Sequence, residues 1–154
     1  MTRIQFILSL FLTFVVGVFG AADQPGTKPT APASAVTKAD NALIIVYYFH
    51  GTIRCETCQK MERLAQEVIE KRFAVELAAK RLLFQPVNYD KPENAHFLDD
   101  YKLPCPSLVV VRQKAGKDEK WKLLDKTWKL VDDPIKFNEY IESETGKLLD
   151  SAKK

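Results

Sequence analysis

Apolar and polar positions divide the chain into three regimes. Residues 4–20, "IQFILSLFLTFVVGVFG", are apolar with a single glutamine near the start. Residues 23–41, "DQPGTKPTAPASAVTKADN", show no periodicity at all. From residue 42 onward, short apolar runs alternate with amphipathic stretches. "LIIVYYF" (43–49) is continuous, β-branched and aromatic, the pattern of a strand buried on both faces. Glu56 to Arg81 contains neither proline nor glycine, and Met61, Leu64, Val68 and Val75 recur near helical spacing, which predicts one long helix. "RLLFQPVNY" (81–89) reads as a strand, with Pro86 placing it at an edge or an irregularity. "KPENAHFLDDY" (91–101) suits a short helix with proline in its first turn. "SLVVV" (107–111) is a further buried strand, and "AGKD" turns it into "EKWKLLD" (119–125), its antiparallel partner. "TWKLV" fits either an extension of that strand or another one. Asp133 before Pro134 supplies an N-cap and a first-turn proline for a closing helix through Phe137, Tyr140, Ile141 and Leu148. The order β-α-β-α-β-β-α implies an α/β domain, a central mixed sheet with helices on both faces.

The flanking segments set the chain's organisation. "MTR" gives a positive start, the apolar run follows, and "FGAAD" offers small residues at a cleavage-site spacing, so residues 1–22 have the three-part pattern of a secretory leader. The apolar stretch is long for a leader and short for a spanning helix, so an uncleaved membrane anchor through residues 4–20 stays open beside it. Either implies export, to the periplasm or an equivalent compartment, with the inner membrane as the anchor point. Residues 23–41 read as a Pro/Ala/Thr-rich flexible linker. The folded domain spans 42–149, and 150–154 form a basic tail. With 154 residues, 46% hydrophobic and 28% charged, one compact domain is expected, and a net charge of +3 is too balanced for a nucleic-acid surface.

Three cysteines carry the candidate chemistry. Cys55 and Cys58 stand in "YYFHGTIRCETCQK" (47–60), between the first strand and the long helix, and Cys105 stands in "LPCPS". A structural staple is one reading, but closing a four-residue loop contributes only about 2 kcal/mol, against about 4 for a Cys58–Cys105 bridge. A metal site is a second. Closed zinc sites take four ligands, which Cys55, Cys58, Cys105 and His50 supply only if the fold gathers them. Thiol–disulfide exchange is the third, and the residues favour it. The attacking group is a thiolate, and a helix N-terminus at Cys55 stabilises one. Arg54 adds a full charge and Glu56 opposes it, while Cys58, one turn in, is placed to resolve a mixed disulfide. Cys105 is a second redox partner, a metal ligand or a small packed residue. His50 reads first as a hydrogen-bonded packing residue at a strand end, and His96 as a surface residue. Trp121, Trp128 and Tyr140 read as core or sheet-face residues, and Gly51 permits the turn that lifts Cys55 out of the sheet.

With these residues in order, the chain resembles the thioredoxin-like superfamily over about residues 42–149, on the buried strand, "RCETC" at a helix start, "PVNYDKPENAHFLDDYKL" and "PSLVVV". "YYFHGTIRCETC" further resembles exported bacterial proteins labelled nitrophenyl compound nitroreductase subunit ArsF family. The resemblance implies Cys55 as nucleophile and Cys58 as resolving cysteine. It implies Pro106 as the proline that thioredoxins hold in cis facing the pair, which sets Cys105 beside the dithiol. Cys105, Pro106 and Arg54 are then candidates for substrate binding, with a protein thiol or disulfide as partner and no cofactor. An alternative is a non-catalytic thioredoxin-like subunit of a reductase complex. The chain departs from thioredoxins at Glu56-Thr57 between the cysteines and at Arg54 in place of a tryptophan. Phe49 stands where the family has a buried acid, which leaves Glu56, His50 or water as candidates for proton transfer.

Overall fold

The structure, a computed structural model, describes residues 42–151. The expected leader (1–22), the linker (23–41) and the last residues of the tail lie outside the described residues. Strand β1, Ala42–His50, is an inner strand of the sheet, as its unbroken apolar pattern requires. It pairs in parallel with β2, Leu82–Asn88, and antiparallel with β3, Ser107–Lys114. Strand β4, Lys117–Leu123, closes the order β2-β1-β3-β4 as a hairpin partner of β3, with a register shift at Arg112/Gln113. Pro86 lies on β2, an edge strand, where a missing N–H costs no ladder bond on the outer side.

The two faces of β1 sort their residues by period two. Ile44, Val46 and Tyr48 share one core with Leu108 and Val110. Into it pack Met61, Ala65, Val68 and Ile69 of α1, Glu56–Arg72, and Phe137, Ile141 and Leu148 of α5, Pro134–Asp150. Ile45, Tyr47 and Phe49 share the other core with Val87, Tyr101, Val109 and Val111, against which Phe97 and Leu103 pack. That side is covered by a 3-10 turn, Pro92–Asn94, and the short α3, Phe97–Asp100. The sheet is thus mixed and covered by helix on both faces, the α/β arrangement expected from the sequence.

Two boundaries differ from expectation. The helix expected over 56–81 stops at Arg72. Phe73 leaves helical geometry and its ring is buried with the α1 residues, so packing overrides the lack of any local breaker. A short α2, Ala74–Ala78, follows, and Lys80 at positive φ reverses the chain so that the Arg81 carbonyl accepts from Ile44 N–H at 2.9 Å. Val75, expected on the buried stripe, lies past the break and is exposed. "TWKLV" is helical, not extended: Leu124 N–H donates to Leu108, and Thr127 donates through Oγ1 to the Leu124 carbonyl, starting α4, Thr127–Leu130. Asp133 caps α5 as expected, accepting from Lys136 N–H at 3.2 Å. Among the described residues, no helix is long and apolar enough to cross a membrane.

On α5, the buried Glu144 accepts from Lys122 at 2.6 Å and Lys147 at 2.7 Å. Burial alone would raise its pKa, but the two ammonium groups outweigh it and hold the carboxyl below its ordinary range. Its folded pKa is therefore the depressed one. The stability it supplies is complete above the unfolded pKa, and is lost as pH falls through the folded one. Glu144→Gln should accordingly cost most at neutral pH, and the gap to wild type in urea unfolding should narrow below about pH 4. A gap that stays constant down to pH 3 would refute that assignment.

Candidate functional site

Strand β1 delivers His50 to the sheet's C-terminal end, and the chain must then turn sharply to begin α1. Gly51 makes this possible by close approach: a Cβ there would meet Asp90 Oδ2 at 3.1 Å and the Tyr89 ring at 3.5 Å. The Asp90 carboxylate accepts from Thr52 N–H at 2.6 Å, and Asn88 Nδ2 donates to Thr52 Oγ1 at 3.1 Å. The loop before the cysteines is therefore tied to the end of β2, an anchorage of 36 to 38 residues in sequence.

Cys55 is the N-cap of α1, extended at φ −74° and ψ 162°, and its Sγ accepts from Cys58 N–H at 3.1 Å. Cys55 and Cys58 form a disulfide across a Cα–Cα distance of 5.1 Å. Cys55 is exposed, whereas Cys58 is only 5% exposed. Cys55 is therefore the residue open to an incoming group, and Cys58 is shielded. The N–H that now meets the Cys55 sulfur is the same group that would meet a Cys55 thiolate once the bond opens.

Below the pair lies Tyr48, fully buried, whose hydroxyl donates to the Cys58 carbonyl at 2.7 Å. Burial pushes its pKa up to about 12, only partly offset by the Arg54 guanidinium. Tyr48 is thus a neutral donor throughout the range where thiols exchange. Arg54 turns inward: its guanidinium carbon lies 5.9 Å from the Tyr48 ring centroid, and it is ion-paired with Glu62, two turns along α1. Gln59 Nε2 donates to the Arg54 carbonyl at 3.4 Å. Phe49, which the resemblance set in place of an acid, is fully buried on the opposite face of the sheet among Tyr47, Phe97 and Tyr101.

The Phe49–Ser107 register brings "LPCPS" up beside the end of β1, so Cys105 and Pro106 adjoin the loop that carries the dithiol. Cys105 is free and half-buried, and its thiolate form would raise both Tyr48 and Tyr89, which puts it within electrostatic reach of the tyrosine that holds Cys58. Ser107 Oγ donates to the Cys105 carbonyl at 2.7 Å and Trp128 Nε1 donates to the Pro106 carbonyl at 2.8 Å. No peptide bond among the described residues is cis, so the expected cis Pro106 is corrected to trans. Trans is the intrinsically favoured isomer of X-Pro, and here the Ser107 and Trp128 bonds hold the two carbonyls that flank it.

The other candidates are placed as follows. His50 Nδ1 lies 2.9 Å from the Gly51 carbonyl, so that nitrogen is the donor, and its ring stacks on Tyr48 at 6.0 Å. Glu56 is exposed in the first turn of α1, and His96 is exposed beside Asp100 at 2.7 Å. The metal set Cys55, Cys58, Cys105 and His50 is not assembled: among the described residues no three His, Cys, Asp or Glu gather as ligands. Two of those sulfurs are bonded to each other, and the imidazole is turned to its neighbour's carbonyl. Sequence reasoning missed Tyr48, Glu62 and Trp128. Trp128 was expected in the core or on a sheet face, yet it lies on α4, 37% exposed, bound to the Pro106 carbonyl. Glu62 had a usable signal, seven residues after Cys55 on a helix that begins at Arg54's heel.

No family model and no curated protein matches the chain. Among solved structures, a malarial protein aligns at 22% identity over 52% of this chain and 79% of its own, with a TM-score of 0.34. A thioredoxin from Thermus thermophilus aligns at 21% identity over 58% of this chain and 72% of its own, also with a TM-score of 0.34. Likeness this distant lends the chain neither an activity nor a partner.

Proposed function

We propose that the chain is an exported thiol–disulfide exchange protein acting through Cys55 and Cys58. The observation that carries this reading is the disulfide at the start of α1 between an exposed and a buried cysteine. A partner thiolate attacks Cys55 Sγ, the Cys55–Cys58 bond breaks, and Cys58 leaves as a thiolate that takes up a proton. A second partner thiol then displaces Cys55, so the partner is oxidised to a disulfide and the dithiol is reduced. Run backward, the same steps reduce a partner disulfide. An extended protein segment would lie along Cys105 and Pro106, whose neighbouring position beside the loop supports that role. The leader-like residues 1–22 support export, with the domain either cut free or held through residues 4–20, and the linker as spacer.

The test is a cycle of chemical oxidation and reduction with thiol-trapping mass spectrometry, followed by exchange with a disulfide protein substrate. Wild type should interconvert between zero and two trapped thiols in the 47–60 region. Cys55→Ser should lower exchange on the order of 100-fold or more, since no other exposed sulfur stands at the helix start. Exchange at the wild-type rate in that variant would end the proposal.

A further inference from the structure

Arg54 is the full positive charge next to the nucleophile in sequence, yet the fold does not leave it there unopposed. Its guanidinium is drawn inward, ion-paired with Glu62 and laid on the Tyr48 ring. The side chains retain 28% and 19% exposure, so solvent screens the pair only in part. The Glu62 carboxylate and the Tyr48 side chain are the two groups that hold the guanidinium in this position. The pair lines a cleft of about 320 Å³ with Gln59, Arg63 and Gln66, open enough for the guanidinium to swing if released.

We propose that Glu62 is a positioning residue for the dithiol: it holds the Arg54 guanidinium on Tyr48 and offsets its charge, thereby limiting how far the Cys55 thiolate is stabilised. This rests on the exchange reading above and adds to it the element that sets its poise. The other charged and titratable groups around the helix start are Glu56, Lys60 and Arg63 on α1, His50 on β1, Tyr89 and Asp90 after β2, Cys105 before β3, and Asp132 before α5. They stay constant across the variants below. A purely structural ion pair would behave differently, since removing either partner would loosen the fold without moving Cys55 in opposite directions.

The experiment uses the full chain, reduced, with the rate of Cys55 alkylation by iodoacetamide followed peptide by peptide against pH. Glu62→Gln leaves Arg54 unopposed and should raise the thiolate fraction at pH 6 about threefold to tenfold, the scale of one unit charge at an intermediate dielectric. Arg54→Gln leaves Glu62 alone and should lower that fraction by a similar factor. The double variant should return near wild type, and Arg54→Lys should restore most of what Arg54→Gln loses. In a glutathione redox buffer, Glu62→Gln should favour the reduced dithiol by the same factor. Shifts of the same sign in the two single variants, or none, overturn the proposal. If a neutral variant fails to fold, Glu62→Asp must still shift Cys55 in the Glu62→Gln direction. The alkylation readout needs no partner, so a wild type that alkylates normally but never exchanges would remove the exchange reading and leave this test standing.

Discussion

Cys58→Ser should arrest the chain as a mixed disulfide between Cys55 and its partner. The asymmetry of the pair is the reason. Cys55, exposed at the helix cap, is the residue a partner can reach, and Cys58, 5% exposed and anchored through its carbonyl to Tyr48, is the one that finishes the exchange when a partner disulfide is being reduced. Resolution by Cys58 is intramolecular, with its sulfur held one turn from Cys55, whereas resolution in its absence needs a second thiol from solution. The advantage of a held reacting group over a free one is large, so release should slow on the order of 100-fold or more. Non-reducing electrophoresis followed by mass spectrometry should find the adduct on Cys55. Release at the wild-type rate would mean that another thiol resolves, and Cys105, the remaining cysteine of the chain, is the first to test. A Cys58→Ser/Cys105→Ser chain would then accumulate the adduct where the single variant does not.

How much of this site could be read without a structure follows from how local each part is. The strand 43–49, the cysteine spacing and the Asp133-Pro134 cap are all written within a few residues, and β1, the N-cap at Cys55 and α5 stand where the pattern put them. The break at Phe73 was invisible because nothing local stops a helix there. Burial of its ring and the need to return the chain to Ile44 do so instead. Tyr48 hid inside an apolar run, where its hydroxyl announces nothing until α1 folds over it. Trp128 hid for the same reason, since its partner carbonyl is 22 residues away. Local order found the sulfurs. Only tertiary packing shows what stands behind them, a neutral tyrosine donor and an arginine–glutamate pair.

That division of labour bears on what holds the domain together. Phe137→Ala should destabilise it by about 3–5 kcal/mol, the range for a fully buried aromatic ring whose loss leaves a cavity that neighbours only partly fill. Phe137 is 0% exposed in the first turns of α5, in the core where α1 and α5 meet the sheet. Against a total of about 5–15 kcal/mol for a domain of this kind, that loss is severe. It should appear as a lower urea midpoint with an unchanged slope. Ile135, two residues earlier and 72% exposed, is the control, and its alanine variant should stay within about 0.5 kcal/mol of wild type. Reducing the Cys55–Cys58 disulfide should cost no more than about 2 kcal/mol, because a loop of four residues restricts the unfolded chain so little. If reduction proved costlier than Phe137→Ala, the cysteine pair would be a staple after all. The expected order, core first and disulfide second, is what leaves that bond free to open and close without unfolding the domain that carries it.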